Sequence, residues 1–109
     1  MTRLSTHVLD TATGRPAAGV AVTVAVRKDD AWVVLSTAAT DGNGRVTDLL
    51  AGEPLEAATY RLTFATGAHL GPDSFYPEVA VTFRVAAPEE HHHVPLLLGP
   101  FGYTTYRGS

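Results

Sequence analysis

The stretch GVAVTVAVRK, from Gly19 to Lys28, alternates between two kinds of side chain with a period of two residues. Valine stands at every second position, with alanine or threonine between: Val20, Val22, Val24 and Val26 against Ala21, Thr23 and Ala25. Successive side chains of a β-strand point to opposite faces, so this period predicts a strand with its valines on one face. The stretch therefore indicates a β protein.

Similar patterns recur along the chain and predict further strands in AWVVLSTAAT, ATYRLTFAT, EVAVTFRVA, HHHVPLLLG and GYTTYRG. The segment TDGNGR contains Asp-Gly and Asn-Gly, which favour tight turns. A short helix is predicted only around TGAHLGP, from Thr66 to Pro72, where Gly71 and Pro72 end it. Short strands separated by turns predict an all-β, antiparallel β-sandwich of about eight strands in two sheets. We expect one domain over residues 1–109.

The composition excludes several function classes. A net charge of −3 and eight scattered basic residues lack the basic patch of a nucleic-acid-binding protein. The chain has no cysteine, which excludes disulfides and thiolate chemistry and leaves stability to packing and oligomerisation. No apolar run approaches the length of a membrane-spanning helix, and the opening MTRLSTHVLD is unlike a signal peptide. We therefore expect no membrane partner and a cytoplasmic location.

Three histidines stand in the run HHHVP, which leads into a core-like strand. On a strand His91 and His93 share one face, while His92 points to the other. Two imidazoles on one face are a possible metal pair, with His7 as a possible third ligand. Alternatively, they are solvated edge residues beside Glu89 and Glu90. The residues alone leave both interpretations open.

Other polar groups are less specific. An arginine after a turn, such as Arg45, is commonly solvated, although its fork of donors suits a planar, oxygen-rich anion. The chain ends in TTYRGS, which carries a phenol, a guanidinium and a hydroxyl. Ser109 lacks the Gly-x-Ser-x-Gly setting of a serine hydrolase.

Taken together, these motifs resemble those of the 5-hydroxyisourate hydrolases, the urate-degrading members of the transthyretin family. The resemblance runs from LSTHVLDTATGRPAAGV through TDGNGRV and FYPEV to HHHVPLLLGPFGYTTYRGS, and thus covers essentially the whole chain. The terminal YRGS is its most specific part, because it separates the hydrolases from the hormone carrier of the same fold. The resemblance implies a transthyretin-like sandwich assembled as a homotetramer, a dimer of dimers, with active sites at the dimer–dimer interface.

The resemblance also implies which residues form the site. The histidine of the THVLD motif is His7, the arginine of the DG-R motif is Arg45, and the second histidine of the H-x-H-V-P motif is His93. The terminal tetrapeptide corresponds to Tyr106–Ser109. One departure is His92, where family members commonly carry tyrosine. Since His92 points away from His93 on a strand, we expect it to alter the surface more than the chemistry.

The implied reaction is hydrolysis of 5-hydroxyisourate to 2-oxo-4-hydroxy-4-carboxy-5-ureidoimidazoline, without metal or cofactor. His7 is expected to act as the general base and His93 to orient the water or the ring, although the two roles are interchangeable at this level. Arg45 is expected to donate to substrate oxygens and stabilise the developing charge.

The tail residues have roles implied by the same resemblance: Tyr106 binds the ring, Arg107 supports the site, and Ser109 with its carboxylate positions a histidine. The sequence leaves two alternative functions open. One is a transthyretin-like carrier that binds a small aromatic ligand without turnover. The other is a zinc hydrolase that uses His7, His91 and His93.

Overall fold

The computed structural model describes residues 4–109. Residues 1–3 lie outside this range. They belong to the opening stretch MTRLSTHVLD, for which no signal peptide is expected. The described chain forms nine strands and one helix: β1 Leu4–Asp10, β2 Arg15–Pro16, β3 Ala21–Lys28, β4 Ala31–Ala39, β5 Arg45–Val46, β6 Ala58–Phe64, α1 Gly67–Leu70, β7 Val79–Val85, β8 His92–Leu98 and β9 Tyr103–Thr105. Seven of the nine strands have three or more residues, and β2 and β5 have only two residues each, against the predicted number of about eight.

The strands form two sheets, which confirms the predicted all-β architecture. One sheet has the order β2-β1-β8-β9 with β5 also paired to β1, and the other has the order β4-β3-β6-β7. Every pair is antiparallel except β1 with β8, which run in the same direction. That parallel pair brings the first described strand beside the last long strand, and its register sets Ser5 opposite His93.

The valine face of β3 lies in the core, as its period of two predicts. Val20, Val22 and Val24 have no exposed surface, and Val26 is almost as deeply buried. Ala25 was predicted on the opposite face, yet it is also buried. Its methyl group is covered because longer side chains flank it on both neighbouring strands, Val34 on β4 and Arg61 on β6.

The short helix is confirmed at Gly67–Leu70, within the predicted segment. It follows β6 and stops at Gly71, whose φ of 107° lies outside the helical range. Among residues 4–109, no helix is long and apolar enough to cross a membrane.

Candidate active site

Strand register brings four polar side chains to the outer face of the β1–β8 sheet. His7 lies opposite Arg45 in the β1–β5 pair, and Ser5 lies opposite His93 in the β1–β8 pair. Partners in a β-ladder share a face, so all four side chains project to the same side of the sheet. The intervening residue Thr6 points inward and is buried.

The turn before β5 determines where Arg45 lies. The Asp41 carboxylate accepts hydrogen bonds from the backbone N–H groups of Arg45, at 3.0 Å, and Asn43, at 2.8 Å. These two bonds hold the pKa of Asp41 below its usual range. Gly44 has a φ of 73°, and a Cβ built on it would lie 2.5 Å from the carbonyl oxygen of Val8. The turn therefore requires glycine at this position, and it directs the chain into β5 with Arg45 beside His7.

A cleft of about 300 Å³ opens on this face of the sheet. Its lining comes from β1, β5, the segment before β8, β8 itself and the chain end: Ser5, Thr6, Arg45, Val46, Thr47, His91, His93 and Ser109. His7 is not part of this lining; it lies beside the cleft, two residues along β1 from Ser5. The structure thus brings three of the predicted site residues, Arg45, His93 and Ser109, into one cleft, with His7 adjacent.

Ser5 is a functional candidate that no motif in the sequence indicates. Its hydroxyl lies 2.8 Å from Nδ1 of His93 and 2.8 Å from Nε2 of His91. The sequence does contain a signal that Ser5 lies near the site: Ser5 and His7 are two residues apart and therefore share a face of the strand. The link to the histidines was not predictable, since it depends on the pairing of β1 with β8.

The electrostatic surroundings keep His93 neutral over a wider pH range than a free histidine. Burial is the largest effect that lowers its pKa, and the positive charge of Arg45 acts in the same direction. His91 and His7 lower the pKa further, whereas a hydrogen bond with the backbone of Ser5 raises it. A histidine with a lowered pKa is available as a proton acceptor at neutral pH.

The end of the chain packs directly against His93. The backbone N–H of Gly108 donates to the carbonyl oxygen of His93 at 2.8 Å, and the two residues form an isolated antiparallel bridge. Ser109 follows and reaches the cleft. Gly108 and Ser109, the second half of the terminal tetrapeptide, are therefore held at the cleft of their own chain.

The other half, Tyr106 and Arg107, lies elsewhere in the single chain. Both residues line a separate hollow between β7 and β8, at the open edges of the two sheets. Arg107 pairs with Glu90 at 3.0 Å, and Tyr106 is 54% exposed. Their predicted contact with substrate therefore stays a prediction, and one chain does not bring them into the cleft with Arg45.

His92 occupies an unexpected environment. It points away from His93, as strand geometry predicts, but the expectation that it modifies the surface is wrong, because only 5% of it is exposed. Its Nδ1–H donates to the carbonyl oxygen of Glu90 at 2.9 Å. His92 is buried because the inward face of β8 packs on the core, where Val94 and Leu96 follow it.

The three histidines considered as metal ligands do not converge. The rings of His91 and His93 are 6.5 Å apart between centroids. Within residues 4–109, no group of three or more histidine, cysteine or carboxylate side chains is placed to hold a metal ion. The geometry therefore does not favour a zinc site built from His7, His91 and His93 in one chain.

Comparisons with known proteins agree with this fold. A 5-hydroxyisourate hydrolase of Salmonella typhimurium is 44% identical over 97% of this chain and 80% of its own length. The solved structure of Klebsiella pneumoniae 5-hydroxyisourate hydrolase superposes with a TM-score of 0.85 at 37% identity, over 100% of both chains. Sea bream transthyretin in complex with thyroxine superposes with a TM-score of 0.87 at 34% identity, over 96% of this chain and 93% of that one. Residues 4–108 match the HIUase/Transthyretin family, and the chain belongs to that family.

Proposed function

We propose that this protein hydrolyses 5-hydroxyisourate, opening a cyclic amide to give 2-oxo-4-hydroxy-4-carboxy-5-ureidoimidazoline in urate degradation. The observation that carries the proposal is the docking of Gly108 and Ser109 against His93, in the cleft that also contains Arg45. The relatives described above with the same architecture include enzymes named for this reaction. The chain end therefore forms part of a catalytic site.

The chemistry requires a water activated by a base and a charge stabilised as it develops. Water adds to the ring carbonyl carbon while a histidine takes its proton, the C–N bond then breaks, and the departing nitrogen receives a proton. His93 and His7 are the two imidazoles placed for these transfers, inside and beside the cleft respectively. The Arg45 guanidinium offers several donors to the carbonyl oxygens of a flat ring and stabilises the oxyanion.

We further propose that the site is completed in a homotetramer, a dimer of dimers. β9 and β7 are the outermost strands of their sheets on one side of the sandwich, and unpaired strand edges favour pairing with another chain. The hollow that contains Tyr106 and Arg107 lies along these edges. Tyr106 and Arg107 then contact substrate in the cleft of a neighbouring subunit rather than in their own.

Subunit mixing tests this arrangement. An Arg45→Ala chain and a Tyr106→Ala chain are purified separately, confirmed to be nearly inactive, and then mixed after dissociation. If Tyr106 acts across an interface, mixed tetramers contain sites with both native residues, and part of the activity returns. Recovery fails if Tyr106 serves its own chain, and an Arg45→Ala chain mixed with itself is the control.

The overall activity is tested by generating 5-hydroxyisourate in place with urate oxidase and following its ultraviolet absorbance. We expect decay well above the spontaneous rate. A carrier that binds small aromatic ligands is the second candidate, supported by the close superposition on a transthyretin that holds thyroxine. Decay at the spontaneous rate, with ligand binding retained, would favour the carrier and exclude the hydrolase.

The same assay separates the metal-independent mechanism from a zinc hydrolase. Activity that survives extensive chelation is expected for catalysis by His7, Arg45 and His93. Activity lost on chelation and restored by zinc would favour a metal site.

The predicted cellular location of the protein is the cytoplasm.

A further inference from the structure

Ser5 links two histidines through a single hydroxyl group. It is largely buried, and its Oγ is 2.8 Å from Nδ1 of His93 and 2.8 Å from Nε2 of His91. The proposed metal-independent mechanism assigns no role to Ser5 or to His91. Both nevertheless line the cleft that contains Arg45.

The hydroxyl has only one hydrogen to donate, which restricts how the three groups are protonated. When both histidines are neutral, two continuous orders are possible. In the first, Nδ1–H of His93 donates to Ser5 and the hydroxyl donates to His91. In the second, Nε2–H of His91 donates to Ser5 and the hydroxyl donates to His93. The first leaves Nε2 of His93 with a lone pair, and the second leaves it with a hydrogen.

The positive charge of Arg45 favours the first order. The charged and titratable groups around His93 are Arg45 from β5, His7 from β1, His91 from the segment before β8, and the C-terminal residue Ser109. Arg45 has donors only, so its neighbourhood favours an imidazole that presents a lone pair over one that presents another N–H. The lowered pKa of His93 agrees with a neutral ring.

We propose that Ser5 and His91 hold His93 in the tautomer with hydrogen on Nδ1, so that Nε2 accepts the proton of the attacking water. This inference rests on the proposed hydrolase function and names Ser5 and His91 as positioning residues. It also assigns the general-base role to His93, a role that the sequence leaves open between His7 and His93.

The arrangement also stabilises the state that follows proton transfer. When Nε2 takes a proton from water, the water oxygen bonds to the ring carbonyl carbon and His93 becomes an imidazolium. Its Nδ1–H bond to Ser5 is then charge-assisted and stronger. When the C–N bond breaks, Nε2 returns its proton to the departing nitrogen, and the histidine is neutral again.

The tautomer is measurable without substrate by nitrogen-15 NMR of the imidazole rings, with His93 assigned by comparison with a His93→Gln variant. In the wild-type protein we expect a protonated Nδ1 and an unprotonated Nε2 on neutral His93. Ser5→Ala is expected to give a mixture of the two tautomers. Ser5→Thr keeps a hydroxyl and is expected to restore the wild-type pattern, and His91→Ala is expected to weaken the preference.

Kinetics then connect the tautomer with turnover. Ser5→Ala is expected to lower kcat about 10- to 100-fold with little change in KM, a part of the 10²- to 10⁴-fold that general acid–base catalysis contributes. Ser74→Ala is the matched control, because the Ser74 hydroxyl is buried without a hydrogen-bond partner among the described residues and lines a different cavity. Its kcat is expected to be unchanged.

Three results would overturn the inference: an Nε2–H tautomer in the wild-type protein, an unchanged tautomer in Ser5→Ala, or a changed tautomer with unchanged kcat. Circular dichroism verifies that each variant is folded. A wild-type protein that fails to accelerate 5-hydroxyisourate decay would instead overturn the proposed function, and the NMR pattern would still decide whether Ser5 orders the hydrogen bonds.

Discussion

Gly108 lies so close to His93 that a Cβ built on the glycine would be 2.6 Å from Cδ2 of the imidazole. Atoms that are not bonded do not approach this closely, so any side chain at position 108 requires the ring or the chain end to move. The close approach brings Ser109 into the cleft. The glycine of the terminal tetrapeptide therefore has a steric role at the site.

Replacing Gly108 is expected to damage catalysis more than stability. In Gly108→Ala the methyl group displaces either the His93 ring or the chain end, and a misplacement of about 1 Å in a catalytic group can cost about 10²-fold in rate. We expect kcat/KM to fall by about that factor while the melting temperature changes little. The measurements are the ultraviolet assay and thermal denaturation.

Gly102→Ala provides the matched control. A Cβ at Gly102 meets no atom within 4 Å, and this residue does not have a positive φ. The control is expected to retain its activity. Equal rates for Gly108→Ala and the wild-type protein would contradict the steric role of Gly108.

Gly44→Ala is expected to reduce stability. The left-handed conformation costs about 1–2 kcal/mol for a residue with a Cβ, and contact with the Val8 oxygen adds to this. Gly42→Ala in the same turn is the control, since its Cβ meets nothing within 4 Å. Urea denaturation measures the free energy of unfolding of both variants. The protein concentration is kept fixed, because the apparent stability of an oligomer depends on its concentration. Equal losses for the two variants would contradict the requirement for glycine at position 44.

The pH dependence of activity is expected to follow His93. Its pKa is lowered by burial and by Arg45, so the imidazole stays neutral as the pH falls past about 6.5, the ordinary histidine value. The acidic limb of kcat/KM is therefore expected below that value. Protonation below the limb removes the proton acceptor, and activity falls.

Arg45→Gln tests the cause of this shift. Removing the guanidinium removes a charge that disfavours the imidazolium, so the pKa of His93 measured by NMR is expected to rise. The rate is expected to fall about 10²- to 10³-fold, as for loss of an electrostatic stabiliser. Arg15→Gln, on the exposed strand β2, is the control and should leave the pKa of His93 unchanged.

Asp10 is expected to stabilise the fold in a pH-dependent way. Its carboxylate contacts Nε2 of His69 at 2.8 Å and accepts the N–H groups of Ala12 and Thr13, and these bonds lower its pKa. A lowered carboxyl pKa means that the contribution is complete above the ordinary value of about 3.9 and is lost as the pH falls through the folded-state value. Asp10→Asn is expected to lower the free energy of unfolding by about 1.5–3 kcal/mol at pH 7.

The difference between Asp10→Asn and the wild-type protein should shrink in the acid range, below the ordinary carboxyl pKa. Urea denaturation across that range measures it. Asp73→Asn, an exposed carboxyl in the same cavity as His69, is the control and is expected to cost little. A constant difference at all pH values would show that the ionised carboxylate is not the stabilising form.

Much of the fold was predictable from local patterns. The valines of β3, the Asp41–Asn43 turn and the helix after Thr66 follow from rules that act over a few residues: the alternation of strand side chains, the turn preferences of Asn, Asp and Gly, and helix termination at glycine. The burial of Ala25 was not predictable, because it depends on Val34 and Arg61 from neighbouring strands.

The features of the candidate site likewise separate into those that local motifs predict and those that depend on the fold. Motifs in the sequence predict His7, Arg45, His93 and Ser109 as site residues, and the strand period predicts the face that each strand residue presents. The sequence did not show that Ser5 connects His91 with His93, that Gly108 packs on the imidazole, or that Tyr106 and Arg107 line a different hollow.

The sequence by itself determined the strands, the turns and the chemical groups available for catalysis, because side-chain period and turn chemistry are properties of neighbouring residues. Only the tertiary structure decided which groups meet. Ser5 and His93 are 88 positions apart and come into contact because β1 pairs in parallel with β8. Such pairing depends on packing between distant segments, which no local pattern encodes.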